Sequence, residues 1–553
     1  MEHSMAAQRA KWLYFFIGVA VLVNFTGLFV TIIGPDGALY ASIAKTMALK
    51  NDFVNLFAEG RDWLDKPHFP FWVTAISFKL FGMSTWAYKL PAIIFTMIAA
   101  IYTYRLALLI YNKEIALWSA LILLTAQHIF ISNTDVRAEP YLTGLIIASV
   151  YHYFRAQNGK WFWHLMFGSA LAACAVMTKG IFALIPLGGA IAGSLLIMKD
   201  WKMLFNFRWL LAAIMIFIFI IPELLCLYLQ FDIHPEKLVF GQHNISGVKF
   251  FFWDSQFGRF FNTGPIKKAG GDPSFFMHTS LWAFLPWSIL FWIGIVDFFR
   301  TKHKRLRQAD WICFAGTALT MLILSVSKFQ LPHYIIIIFP FFAVITARYI
   351  CELKSATAIS RIRLTQSVIV GILIVLGIAV QYLFAAKISY PTYIWFLLII
   401  ALTVYVARIS RDRFSIFFVT CGTMFILNIY FNLAYYPSLV KYQADSEAAM
   451  WLNTNNPKNL TIVKEVNNYA YAIDFYAEAP VYDYHPGDES ELPAKPYILY
   501  AESAKIKEML NNGVAMDRIK SFGSYRITRM KLKFLNSSTR KLALDSAEIV
   551  LIK

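Results

Sequence analysis

The chain has 553 residues, a length that in a soluble protein would mean several domains, yet 58% of them are hydrophobic, 17% aromatic and only 15% charged. That balance excludes an ordinary soluble protein. The formal charge of +18 does not signal nucleic acid either. Residues 441–553 hold 15 Lys and Arg against 14 Asp and Glu, so all but one unit of the excess lies on the loops between apolar runs.

Those runs recur at roughly 20 residues, the length that crosses about 30 Å of hydrocarbon. They predict thirteen spans, near 12–33, 87–110, 114–132, 140–156, 162–178, 181–198, 209–230, 279–299, 309–326, 332–350, 366–386, 391–407 and 414–436. The first run follows Arg9 and Lys11 and lacks a small-residue cleavage site, so it reads as a retained anchor with a cytoplasmic N-terminus. With that orientation the short inside turns carry 20 Lys and Arg, among them Lys302, Lys304, Arg305, Arg307 and Arg411, as the positive-inside rule requires. An odd number of spans places the long loops 34–86 and 231–278 and the tail 441–553 together outside. Cys174, Cys226, Cys313, Cys351 and Cys421 all lie in or beside apolar runs, which leaves no disulfide framework or cysteine metal cluster. The tail alternates stretches such as "LTIVKEV" and "PYILYA" with helix-like ones, the pattern of a small α/β domain. It has no glycine-rich phosphate loop, so it reads as a lid or docking module. No internal repeat is visible, which weighs against a transporter of inverted repeats.

The first outside loop opens "GPDGALYASIAKTMALKNDF", placing Asp36 at the membrane boundary as a catalytic carboxylate or as a helix cap. Leu39, Ile43 and Met47 of the same stretch are expected along the interface. Further on, "WLDKPHFPFW" puts Asp65 and Lys66 beside Pro67 and His68. This set suits a phosphate held by Lys66, with Trp63, Phe69, Phe71 and Trp72 expected as an aromatic belt. "NTDVRAEPY" crowds Asp135, Arg137 and Glu139 into one short turn, as a catalytic group or a structural salt bridge. Lys179, Lys328, His333 and Tyr334 fall on later outside turns, so acids and cations converge on one face at one depth. His243 is the polar residue of loop 231–278 best placed to be a ligand, although a lone histidine is more often a surface group.

Taken in order, "GPDGALYASIAKTMA", "WLDKPHFPFWVTAISFKLFGMSTWAYKLP", "NTDVRAEPYLTGLIIA", "MTKGIFALIP" and "SKFQLPHYIIIIFP" resemble the GT-C glycosyltransferases of the aminoarabinose transferase and protein O-mannosyltransferase superfamily. The resemblance covers the whole chain plan. It implies a transmembrane GT-C domain over 1–440 and a soluble α/β periplasmic domain over 441–553. It also implies transfer of a sugar from an undecaprenyl- or dolichyl-phosphate carrier, with Asp36 and Asp135 as catalytic acids, Lys66 and Tyr334 on the carrier phosphate, and a divalent metal (Zn, Mg or Mn) shared by Asp65 and His243. Two departures stand out: Gly37 and Leu39 replace a second acid and an Arg common in the family, and "RLP" reads Lys89, Leu90, Pro91.

Such chemistry needs a base for the acceptor, assigned to Asp36, and cations for the departing phosphate, assigned to Lys66 with Lys328 and the metal. One direct step inverts the anomeric centre. The expected partners are the polyprenyl-phosphate sugar, a lipid A-like lipid or glycan acceptor and membrane lipids, at the inner membrane of a bacterium. Two alternatives remain. One is a protein O-glycosyltransferase of the same plan. The other is a non-enzymatic carrier of lipid-linked sugars, which predicts charges deep within spans, where Glu223 is the main acid.

Overall fold

The computed structural model describes residues 2–553 apart from 158, 269, 301–307, 411–412, 467–468 and 486–491, with residues 2–6 as backbone only. Lys302, Lys304, Arg305, Arg307 and Arg411 therefore lie outside the described residues. Ten of the described helices are long and apolar enough to cross a membrane, from Ala7–Phe29 to Ser415–Tyr442. The helices Lys113–Thr125 and Gln127–Thr134 meet at 52°, where Ala126 leaves helical geometry, and counted as one they make an eleventh. The remaining two expected runs are helical but short or broken. Glu139–Arg155 has 17 residues, and 279–299 is split between Phe275–Ala283 and Ser288–Arg300.

Apolar packing alone does little to align helices in lipid, so buried polar contacts set the register. Asn133 donates to Asn24 at 2.8 Å and Thr96 donates to Asn133 at 2.7 Å, joining the first three spans in one chain of hydrogen bonds. Lys89, fully buried, donates to the carbonyls of Gly27 and Val30 at the end of the first span. The ammonium at this departure from the resembled pattern is thus a helix-end cap. Glu223, the one acid the transporter reading rested on, is also fully buried. It accepts from the main-chain N–H of His68 and lies 3.0 Å from that ring, tying the first long loop to a span.

The first long loop folds into the helix Gly34–Lys50, a two-strand hairpin of β1 (Phe57–Ala58) and β2 (Arg61–Asp62), and the helix Phe69–Phe81. Two expectations here are corrected. Ile43 and Met47 are buried in the core rather than laid on an interface. Phe71 is buried against Tyr40 and Trp63, and Trp72 donates to the Phe53 carbonyl, so these rings pack the interior of the loop instead of forming a belt.

The tail forms a five-stranded sheet of β3 (Ile462–Glu465), β4 (Val481–Tyr484), β5 (Tyr497–Glu502), β6 (Met516–Ser524) and β7 (Asp545–Ile552), in the order β4-β3-β5-β7-β6. β4, β3 and β5 run parallel, and β7 runs antiparallel to both its neighbours. The helix Tyr471–Tyr476 leaves this domain and enters the membrane body. Phe475 packs on Phe78 and Tyr88, while Lys45 donates to the carbonyls of Asp474, Phe475 and Ala477 at 2.8–2.9 Å. A second tie is ionic. Lys464, 1% exposed, lies 2.7 Å from Asp483, 3.3 Å from Asp474 and 3.4 Å from Glu59 of the loop. Burial, with Asp483 and Glu59 adding to it against Lys464, holds the Asp474 carboxyl well above its usual range.

Three carboxylates around one buried cation make the two sides of this tie unequal. Lys464→Met leaves uncompensated buried charge and is expected to cost about 3–5 kcal/mol, whereas Asp474→Asn is expected to be tolerated. Because Asp474 is raised in the folded state, its contribution is present below the ordinary carboxyl range and is lost as pH rises toward neutrality and beyond. Thermal unfolding followed against pH should show wild-type stability falling on that side and the Asn variant with a flatter profile.

Candidate functional site

The Gly34–Lys50 helix begins abruptly because Gly34 has φ +73°, which breaks the preceding turn, and Pro35 fixes the first helical position. Asp36 falls in the first turn, where the helix dipole favours a carboxylate. Its side chain does not cap the helix; it reaches Arg137 at 2.7 Å. Arg137 spends its other amino group on Asp135 at 3.1 Å, so one planar guanidinium holds two carboxylates from separate elements.

Beside this fork lies a cavity of about 180 Å³ walled by Asp36, Tyr40, Asp65, Lys66, Arg137, Glu139, Lys179, Arg259, His333 and Tyr334 among others. Each acid in the wall has a cation. Glu139 takes Lys179 at 2.5 Å, with His333 at 3.8 Å on the same oxygen. Asp65 takes two, Lys66 at 2.7 Å on one oxygen and Arg259 on the other. Three carboxylates thus face four fixed cations, and the surplus is gathered around Asp65, where Lys179 also stands over the Tyr334 ring at 3.5 Å. Burial would raise Asp65, but Lys66 and Arg259 hold it below the usual carboxylate range. Burial, helped by Arg259 and opposed by Asp65, pushes the Lys66 ammonium down to about 8. Burial would lower Arg137, but Asp135, Asp36 and Glu139 hold it above its ordinary value, while burial, against Arg137, raises Asp135.

A second, apolar cavity adjoins the first and shares Lys179, Arg259, Phe329 and Tyr334 with it. Its remaining wall includes Leu142, Phe182, Phe260, Ile323, Leu324 and Ile337. The surplus cations therefore stand at the junction between a polar chamber and a greasy one.

Of the seven site residues expected from sequence, Asp36, Asp65, Lys66 and Tyr334 meet at the polar cavity. Asp135 stands behind Arg137 rather than in the wall, with one buried carboxylate oxygen unpartnered. Lys328 is exposed, its backbone N–H donating to the Phe260 carbonyl, and it lines neither cavity. His243 is exposed on a turn, its Nδ1 2.9 Å from the Glu236 carbonyl. No metal site is seen at Asp65 and His243: both Asp65 oxygens already face cations, and among the described residues no three His, Cys, Asp or Glu converge as metal ligands. A carboxylate ringed by cations fits an anion, not a divalent metal. Gly37 explains the missing second acid, because a side chain there would meet Ile32 at 3.0 Å and Asp135 at 3.5 Å. Arg259 and Tyr40 were not anticipated. A single Arg inside "FFFWDSQFGRFF" was the available signal, since an isolated cation in so apolar a stretch is costly without a partner.

A family profile described as dolichyl-phosphate-mannose-protein mannosyltransferase matches residues 65–225, a stretch that includes Asp65, Lys66, Glu139 and Lys179. A protein of Aquifex aeolicus without an assigned role is 24% identical over 477 residues, covering 85% of this chain and 87% of its own length. An undecaprenyl phosphate-alpha-4-amino-4-deoxy-L-arabinose arabinosyl transferase of Edwardsiella ictaluri is 26% identical over 333 residues. That match covers 58% of this chain and 55% of the transferase, so the chain spans about half the length of this curated relative. The crystal structure of ArnT from Cupriavidus metallidurans bound to undecaprenyl phosphate superposes with a TM-score of 0.74 over 98% of both chains, at 16% identity. The chain has the GT-C fold. The GT-C plan accounts for the division seen here, a multi-pass helical body with a small sheet domain on the face that carries its long loops.

One further contact sets the cation positions in this GT-C site. Gly180 has φ +87°, and a Cβ there would stand 2.0 Å from Nε2 of Gln256. That amide donates to the Lys179 carbonyl and accepts from Phe182, joining the segment that carries Arg259 to the helix end that carries Lys179. Gly180→Ala is expected to lose about 1–3 kcal/mol from crowding and backbone strain, read as a lower melting temperature in detergent. Gln256→Ala in the same chain should restore part of the loss by removing the clash.

Proposed function

We propose that the protein transfers a sugar from a polyprenyl-phosphate carrier to a lipid A-like lipid or glycan acceptor at the outer face of a bacterial inner membrane, with inversion. The observation that carries this reading is the cation surplus at the meeting of the polar and apolar cavities. A phosphate esterified to an isoprenoid is one group with those two halves. The isoprenoid occupies the apolar chamber beside Phe182 and Phe260, the phosphate lies against Lys66, Lys179 and Arg259, and the sugar extends into the polar chamber toward Asp36.

The reaction follows from those positions. The acceptor hydroxyl gives its proton to Asp36 as its oxygen bonds to the anomeric carbon, and the bond from that carbon to the phosphate oxygen breaks. Charge that develops on the leaving phosphate is met by three cations already in place, which is where electrostatic stabilisation is most effective. Arg137 keeps Asp36 aimed at the cavity, and Asp135, acting through Arg137, is a positioning residue. No step requires a metal, in keeping with the poor fit of one at Asp65.

Two measurements test this reading. Asp36→Asn should lower the transfer rate by about 10² to 10⁴ while carrier affinity stays nearly constant; an unchanged rate would remove Asp36 as the base. Lys66 carries its proton below about 8 and loses it above. Undecaprenyl phosphate affinity should therefore fall as pH rises through that value, and in Lys66→Arg the step should vanish because guanidinium stays charged.

A further inference from the structure

A third cavity, about 300 Å³, lies where the sheet domain meets the start of the Gly34–Lys50 helix. Its place follows from the sheet topology. From β3 the chain passes through the helix Tyr471–Tyr476 to β4 on one side, and from β5 it passes through the helix Ser503–Asn511 toward β6 on the other. The two helices cover opposite faces. Ile473 packs with Ile462, Ile498 and Ile549, whereas Ile506 packs with Val463, Leu499 and Val550. Adjacent parallel strands whose outgoing connections diverge in this way leave a crevice beyond their carboxyl ends, the usual ligand position in such sheets. The cavity is that crevice, lined by Tyr469 after β3 and by Tyr500 and Glu502 at the end of β5, and closed by Gly34 and Pro35.

Its chemistry differs from that of the carrier site. Asp445, Glu502 and Asp545 face a single cation, Arg526, which already sits over the Tyr469 ring at 5.4 Å. Tyr500 is only 9% exposed, and its hydroxyl has no hydrogen-bond partner among the described residues. A phosphorylated ligand would meet net negative charge here. Carboxylates and tyrosine faces together suit a protonated amine, and an unpaired phenol beside serines suits sugar hydroxyls. Pro35 lines this cavity and Asp36, the next residue, lines the carrier cavity.

We propose that this crevice is the acceptor subsite and that it binds a glycan bearing a free amino group, presented across the first turn of the Gly34–Lys50 helix to Asp36. The assignment of the bound glycan as acceptor rests on the transfer reading above; its binding does not.

Calorimetric titration of the full chain in detergent with a glucosamine tetramer and with its N-acetylated counterpart tests the proposal. The free-amine tetramer should bind at least about tenfold tighter, the size of one charge-assisted contact. Glu502→Gln with Asp545→Asn, both exposed and outside the carrier site, should lower that affinity about tenfold and leave undecaprenyl phosphate binding unchanged. Equal affinity for the two tetramers, spermidine binding as tightly as the glycan, indifference to the double substitution, or no binding at all would overturn it. Failure of undecaprenyl phosphate to bind the wild-type chain would instead sink the carrier reading and leave the amino-glycan result standing.

Discussion

One carboxylate shared by two cations holds the site together. Lys66 and Arg259 belong to different loops, Arg259 lying 194 residues from Asp65, and without Asp65 between them two buried positive charges would repel across a low-dielectric chamber. With Asp65 they form a group carrying one net positive charge that is stable before any ligand arrives yet still attracts an anion. The same contact ties the first long loop to loop 231–278, so the walls of the cavity and its electrostatics have one origin. A phosphate entering there relieves the residual repulsion between Lys66, Arg259 and Lys179, which is why its binding is expected to raise the affinity of Lys66 for its proton.

Arg137 does for the acids what Asp65 does for the cations. A lysine in its place would offer a point charge and leave either Asp36 or Asp135 without a directed partner. A side chain at Gly37 would press on Ile32 at 3.0 Å, and the second acid near Arg137 comes from the Asp135 turn. Function at this rim therefore depends on pairs formed between elements rather than on the composition of any one loop.

That dependence also explains what could and could not be read from sequence. Hydropathy located the long apolar helices, because a span must satisfy its backbone internally and shows this as an unbroken apolar stretch. It did not show that the run at 114–132 bends at Ala126 or that 279–299 is broken. Asp36, Asp65 and Lys66 were legible because charges beside prolines at a span boundary are costly without a use. Arg259 was not, since its partner lies in another loop and its neighbours are aromatic. His243 attracted attention by type, while its placement on an exposed turn is a matter of chain path. Phe71 and Trp72 were misplaced because aromatic composition is the same for a membrane belt and for a loop with its own core.

The sheet domain is held to the body by features that bear directly on the site. The helix Tyr471–Tyr476 inserts Phe475 among residues of the membrane core, and the Tyr476 hydroxyl accepts from the Ile32 N–H just before the Gly34–Lys50 helix begins. Gln443 brackets the same entry, accepting from the Gly34 N–H and donating to the Ile32 carbonyl. The turn that aims Asp36 is thus fixed from the sheet-domain side as much as from Arg137. A displacement of that domain would shift the first turn of the helix, and an oxygen that must lie within hydrogen-bond reach of an acceptor proton tolerates little shift. The sheet domain therefore bears on the placement of Asp36 through this bracket of hydrogen bonds.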